Sequence, residues 1–374
     1  MSYSLKNLVA GNEAFGGRFE DEEATSVSIE QKIEVETEVA EEMEEQEEVV
    51  EVAEEGEETA EAAEEMMATF EYAERMAAVV EQCGWSRPVA LAFNYGQGAG
   101  QLGEVEEGFG ITLAANESLE MVASPNDANS IAVMEGFKDT MKKFWEWVKK
   151  IAKKIWESMK AIGSKILAFF TSVEKTSKRL ALALKDASEF DAEKAKDKKF
   201  KVLTKSQFTA ILGTLHGLFN SADVMANGQM KAVKFDDLGI EVSADGTYSA
   251  GGKDPFDGIA ELSPSGNTIG NWTFADVKDN KVIVELIQSG REIQKSLASM
   301  KKLGDKLEGL AGKYSKAYSN DADAKVEKDR RDEAKKGVKH LTNAQKLCSK
   351  GVKVAVQLAK QFIKVQRAFL ACKK

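Results

Sequence analysis

The sequence predicts a mainly α protein: a helical body with long amphipathic helices and a small antiparallel β insert, preceded by a largely disordered acidic N-terminal leader. Three observations carry this expectation. Only four prolines (Pro88, Pro125, Pro255, Pro264) punctuate 374 residues, and proline is the residue that most strongly breaks a helix interior. Apolar residues recur at helical spacing over most of the chain beyond residue 121. Charge is also divided. Up to Glu120 there are 5 basic and 31 acidic residues, a net of −26, and from Met121 onward 46 basic and 31 acidic, a net of +15. A leader so charged repels itself and resists compaction. The whole chain, 43% hydrophobic, holds enough apolar material for a real core.

Taken in order, residues 1–65 read as the disordered leader, with 22 acidic residues against Lys32 alone between Glu20 and Glu65. Residues 66–120 complete this acidic part. Met66, Met67, Phe70, Ala73, Ala77 and Val80 predict a short helix ending at Gly84, and the glycine-rich stretch from Pro88 to Leu113 suggests β or loop structure. Ser124-Pro125-Asn126-Asp127 is the main boundary, because charge sign, glycine content and periodicity all change around it. The body, 121–374, opens with a helix over Val133–Leu184, with a hinge expected at Gly163. A second helix covers Thr204–Met225. The β insert at about 231–286 contains Ile240-Glu241-Val242-Ser243, a turn at Asp245-Gly246, then Thr247-Tyr248. Helical periodicity resumes over Val282–Tyr318 and Ala324–Ala371.

The first body helix has two contrasting faces. At 100° per residue, Phe144, Trp145, Val148, Ile151, Ala152, Ile155, Trp156 and Met159 share one face, while Lys142, Lys143, Lys149, Lys150, Lys153, Lys154 and Lys160 take the other. The first expectation is packing of Phe144, Val148, Ile151, Ile155 and Met159 on other helices. The stripe runs on in a heptad-like manner, which favours a helical partner, as in a coiled coil, over a lipid surface. The seven lysines are candidate DNA-phosphate contacts. A second cationic series, Lys346, Lys350, Lys353, Lys360, Lys364 and Lys374, accompanies the last helix. After Glu120 there are 41 lysines and five arginines. Lysine is a mobile point charge and lacks the planar fork with which arginine reads guanine, so non-specific charge neutralisation is expected.

No catalytic residue, metal site or cofactor is expected, and the chain does not read as an enzyme. The three cysteines (Cys83, Cys348, Cys372) lack disulfide or zinc spacing. Cys83 reads as a buried thiol and His216 as a packed or partly buried histidine. Gly98-Ala99-Gly100-Gln101-Leu102-Gly103 fits G-x-G-x-x-G, but the acidic, glycine-broken sequel cannot supply the helix N-terminus a dinucleotide needs. Asp321, Asp323 and Glu327 lack the spacing of a calcium loop and read as a solvated helix start. The N-terminal residues lack the apolar core of a signal peptide, and no apolar run of about 18 residues occurs, so synthesis and retention in a reducing cytoplasm are expected.

A −26 leader on a +15 body suggests self-masking that ends when the leader is cut away. Ser118-Leu119-Glu120, followed by Met121, lies at the charge boundary. Ser28-Ile29-Glu30 repeats the pattern within the acidic tract, and Ser172-Val173-Glu174 repeats it within a helix, where a cut is not expected. In this arrangement the chain resembles internal head (inner-body) virion proteins of giant phiKZ-like tailed bacteriophages. The resemblance implies an acidic propeptide removed by a prohead protease after a Ser-x-Glu motif, with Glu120 as the principal site and Glu30 as an earlier trimming site. It also implies a body packaged with the genome in the virion head after assembly in the host cytoplasm. The implied partners are that protease, packaged DNA bound without sequence preference, and other head proteins. Oligomeric state stays open. Two alternatives are an interaction or scaffold protein that keeps its tail as a docking arm or DNA mimic, and a membrane-active protein delivered at infection.

Overall fold

The computed structural model describes residues 22–96, 120–229, 231–279, 281–314 and 324–374, with side chains described outside 22–46, 94–96 and 324–326. The chain divides into two units, Met1–Glu44 and Glu45–Lys374. In the first, the backbone is helical from Glu22, where α1 (Glu22–Cys83) begins. All packing described below lies in the second.

The body is built from α3 (Ala128–Ala183), α5 (Lys205–Ala226), α7 (Lys281–Tyr314) and α8 (Ala324–Cys372). These match the four helices expected from periodicity to within a few residues at most ends. Helix α3 starts where Asp127 accepts a hydrogen bond from the Ser130 amide at 2.6 Å, satisfying a first-turn donor. Thr204 and Gln207 form a reciprocal capping box at the head of α5. Helix α3 packs on α7 and α8, and α5 packs on the same two helices. Glycines allow close approach: a Cβ on Gly163 would stand 2.4 Å from Leu297 Cδ1, and one on Gly351 would stand 2.5 Å from Phe219 Cε1. Gly163 is therefore a packing point inside an unbroken α3, where the sequence suggested a hinge.

The β insert is present as short antiparallel pieces. Strands β2 (Val233–Phe235), β3 (Ile240–Val242) and β4 (Tyr248–Ala250) form one sheet in that order. The β3–β4 turn is the expected one, with Gly246 at φ 82°. Two further pairs complete the insert. β1 (Phe200–Lys201) joins β5 (Glu261–Leu262), and β6 (Thr268–Ile269) joins β7 (Trp272–Thr273). Trp272 is fully buried and donates through Nε1 to the Leu203 carbonyl at 2.9 Å. The insert is thereby pinned to the α5 entry. The short helices α4 (Ala192–Ala195) and α6 (Phe274–Lys278) fill connections.

Two parts of the acidic half differ from expectation. Residues 47–65, assigned to the disordered leader, are helical and seated in the core, with Val49, Ala53, Ala60 and Ala63 buried. Lysines of α3 and α8 offset the self-repulsion that favours an open chain. Arg87–Gly96, expected as β or loop, is helix α2. Its residues pack with the end of α1 and the start of α3 in a small cluster of Ala73, Met76, Val80, Trp85, Ala90, Phe93, Phe137 and Met141. The α1–α2 turn requires Gly84, which has φ +74° and whose Cβ would stand 2.7 Å from the Ser124 backbone. The Gly98–Gly103 motif lies outside the described residues.

Candidate functional site

Two charged features stand out, one on α3 alone and one where α1 lies on α3 and α8. The first is the lysine face of α3. Its apolar side is spent inside the protein: Phe144, Trp145, Val148, Ile155 and Met159 are fully buried and Ile151 nearly so. Burial of each such side chain is worth about 1.5–3 kcal/mol, which fixes the rotation of the helix. Lys142, Lys143, Lys149, Lys150, Lys153, Lys154 and Lys160 are consequently all exposed. Lys142 pairs with Asp139 at 2.9 Å and Lys153 with Glu157 at 3.7 Å. Trp156 is half-buried, with Lys301 Nζ 5.7 Å from its ring centre. Among the described residues, no helix is long and apolar enough to cross a membrane.

The second feature is the acidic helix itself. Val49, Ala53, Gly56, Ala60, Ala63, Met67 and Phe70 follow a 3–4 repeat. This face is inward, with Met67 half-buried and the others buried. At one end Phe70 meets Phe144 edge-on at 5.2 Å. Further along, a Cβ on Gly56 would stand 2.8 Å from Ser349 Oγ and 3.0 Å from Ile162 Cδ1, so α1 lies very close to both α8 and α3.

Flanking glutamates meet cations along this contact. Glu48 pairs with Lys165, Glu57 with Lys353 at 2.7 Å, and Glu64 with Lys346 at 2.6 Å. Glu74 pairs with Lys335 and with Arg331, the latter at 3.2 Å. Lys346 also sits 5.1 Å from the Tyr248 ring centre. Burial, with Glu57, Glu64 and Glu61 nearby, raises the Tyr248 phenol above its ordinary range. Glu327, expected as a solvated helix start, is instead buried, bound to Arg331 at 3.0 Å and to Trp145 Nε1 at 3.3 Å. Asp321 and Asp323 lie outside the described residues.

The Glu74 network gives a pH prediction. Burial alone would raise the Glu74 carboxyl, but Lys335 and Arg331 outweigh it and hold the group below its ordinary 4.5. A depressed carboxylate stabilises fully above its unfolded value and loses that contribution as pH falls through the folded value. Amide exchange over 70–80 of α1 is thus expected to quicken as pH falls below about 4.5, after correction for intrinsic rates. In Glu74→Gln this extra acid sensitivity should shrink; an identical acid response in both proteins would refute the assignment.

The sequence-derived cleavage residues are placed unevenly. Ser118 and Leu119 lie outside the described residues. Glu120 is exposed, its carbonyl accepting from the Arg87 amide at 2.9 Å. Met121 and Val122 are 68% and 82% exposed in a non-helical segment before α3. Ser28, Ile29 and Glu30 fall within α1, while Glu174 lies inside α3, bonded to Lys178 at 2.6 Å. Cys83 is exposed, contrary to the buried thiol expected, because it ends α1 on the solvent side. His216 is partly buried and its Nδ1 lies 2.8 Å from Glu292. Sequence reasoning named Lys346 and Lys353 as charge carriers and missed their partners. The overlooked signal was the 3–4 repeat of small residues at Val49, Ala53, Gly56, Ala60 and Ala63. Among the described residues no cluster of potential metal ligands occurs.

Long packed helices, an exposed lysine face and an acidic helix seated on basic side chains define a structural protein that carries its own polyanion. The chain belongs to the phiKZ-like phage internal head proteins, whose family model matches residues 20–211, just over half of the sequence. The matched region runs from the acidic tract through α3 into α5. It is therefore a structural protein of the phage head. No curated protein and no solved structure matches the chain.

Proposed function

We propose that this head protein is processed at the Glu120–Met121 bond and that its body, 121–374, lies against packaged DNA through exposed lysines without reading sequence. The observation that carries the reading is the position of that bond. It is exposed, non-helical and at the point where a −26 segment meets a +15 segment. A protease draws its substrate into an extended strand, which a non-helical segment permits at less cost than the helical surroundings of Glu174. The prohead protease and other head proteins are the partners this reading calls for. In the host cytoplasm the leader would keep the body off other nucleic acid by occupying it with glutamate.

The retained-tail reading also has a specific support, the burial of Val49–Ala63 in the body core. N-terminal sequencing or intact mass of protein extracted from purified particles separates the two. A start at Met121 is expected; a start at Met1 would overturn processing and favour a permanent docking arm. The membrane reading has less support, because α7 and α8 already cover the apolar stripe of α3.

A further inference from the structure

We propose that the surface of α8 and α3 beneath residues 48–64 of α1 is a site for a DNA phosphate backbone, held closed by this chain's own glutamates. The inference rests on the DNA-binding reading above and gives it a location separate from the exposed face of α3. Its first support is the chemistry of the seat. A permanent helix–helix seam is apolar or fully hydrogen-bonded, since a buried polar group without a partner is costly. This one carries Ser158, Gln345 and Ser349, and both Gln345 Oε1 and Ser349 Oγ are buried without a hydrogen-bond partner. Gln345 and Ser349 are each 0% exposed. The α1 residues opposite, Ala53, Gly56 and Ala60, offer no side-chain donor or acceptor. The seat thus presents the Ser349 hydroxyl, a donor that its occupant does not use, while the Gln345 amide nitrogen is already spent on Ser158 at 3.2 Å.

Charge is the second support. Lys165, Lys346 and Lys353 each face a glutamate of α1, and Arg331 and Lys335 continue the row along α8 to Glu74. At 1.5 Å per residue the row from Arg331 to Lys353 is about 33 Å long, near one turn of duplex DNA. Carboxylates held by lysine along the row imitate phosphate oxygens, and the Ser349 hydroxyl can donate to phosphate as well. An α-helix about 10 Å across fills the trough, a width that suits one phosphate strand of a duplex lying over it. Cutting at Glu120 would leave α1 held by non-covalent contacts alone, this seat and the apolar cluster around Trp85 and Phe137, so that concentrated DNA competes with its glutamates directly.

Full-length protein and a 30-base-pair duplex provide the test. Glu54→Gln/Glu57→Gln/Glu64→Gln removes the acids that face Lys353 and Lys346, Glu54 standing 3.7 Å from Lys353 at the rim of the seat. Glu55→Gln/Glu58→Gln/Glu65→Gln removes the same charge from exposed positions. The seated triple is expected to bind duplex about tenfold tighter than the exposed triple, and Lys346→Ser/Lys353→Ser should abolish that difference. Equal affinity of the two triples would overturn the site. Hydrogen exchange on the unaltered chain provides a second readout. Amides of 49–65 should lose protection on adding duplex while α5 keeps its own; DNA binding with α1 still protected also overturns the proposal. Glutamine replacement of Lys149, Lys150 and Lys154 tests the broader DNA reading. If it weakens binding while the two triples stay equal, the seat alone fails. If no form of the chain binds duplex, both readings fail. Self-association of the seated triple without DNA would assign the surface to a second copy and overturn the phosphate site.

Discussion

Trp145→Ala is expected to destabilise the full-length protein by about 3–5 kcal/mol, the usual range for removing a large buried aromatic. Trp145 has no exposed surface and ties three helices together. Its ring stacks on Tyr314 at the end of α7 with centres 5.5 Å apart, and touches Phe144 edge-on at 5.2 Å. Its Nε1 donates to Glu327 near the start of α8. Alanine would leave a cavity among all three and remove one of the two partners of a buried carboxylate. Trp156→Ala makes the instructive contrast. That ring is half-buried and its recorded polar contact is a cation 5.7 Å away, so about 1 kcal/mol is expected. Urea denaturation of the two variants would show this directly, as a large midpoint shift for Trp145→Ala and a small one for Trp156→Ala. Comparable losses would mean that α3 is not rotated as described.

The second large effect concerns salt. If the lysine face of α3 lies on phosphates, affinity for duplex DNA falls as counterions compete, with a slope of about 0.9 per phosphate neutralised. On this face seven lysines set the upper bound, to which the cations beneath α1 add once α1 is displaced. Lys142 and Lys153 already have carboxylate partners, which makes a slope of about −4 to −6 the expected range. Between 50 and 200 mM salt this face alone should then cost the processed body about three orders of magnitude in affinity. Replacing Lys149, Lys150 and Lys154 by glutamine should reduce the slope by about one per residue. Affinity should not depend on base sequence, because lysine neutralises charge without reading base edges. A shallow slope, or strong preference for one sequence over another of equal length, would exclude charge neutralisation as the mode of binding.

Legibility followed the physics of each segment. Helices α3, α5, α7 and α8 could be read because their burial stripes repeat at 3.6 residues, although the Asp127 cap that starts α3 at Ala128 was passed over in favour of Val133. The Asp245–Gly246 turn was readable for a different reason, since only certain residues accept its backbone angles. Helix α2 was not. Its apolar run, Val89 to Phe93, is too short for periodicity to separate strand from helix, and packing against Trp85 and Phe137 decided the outcome. The acidic segment was harder still. Its inward face is made largely of alanine and glycine, which carry little hydrophobic signal, and its surplus of glutamate argues for an open chain when considered alone.

The sequence by itself determined the helical class, the charge division at Glu120 and the two-faced character of α3, since all three depend on residue order and local spacing. Only the tertiary structure decided that Glu57 and Glu64 meet Lys353 and Lys346, nearly 300 residues away in the chain. Such pairings depend on which surfaces α3 and α8 leave between them after their own apolar faces are buried. Charge is long-ranged and unspecific along a chain; close packing of Gly56 on Ser349 and Ile162 is what gives it an address.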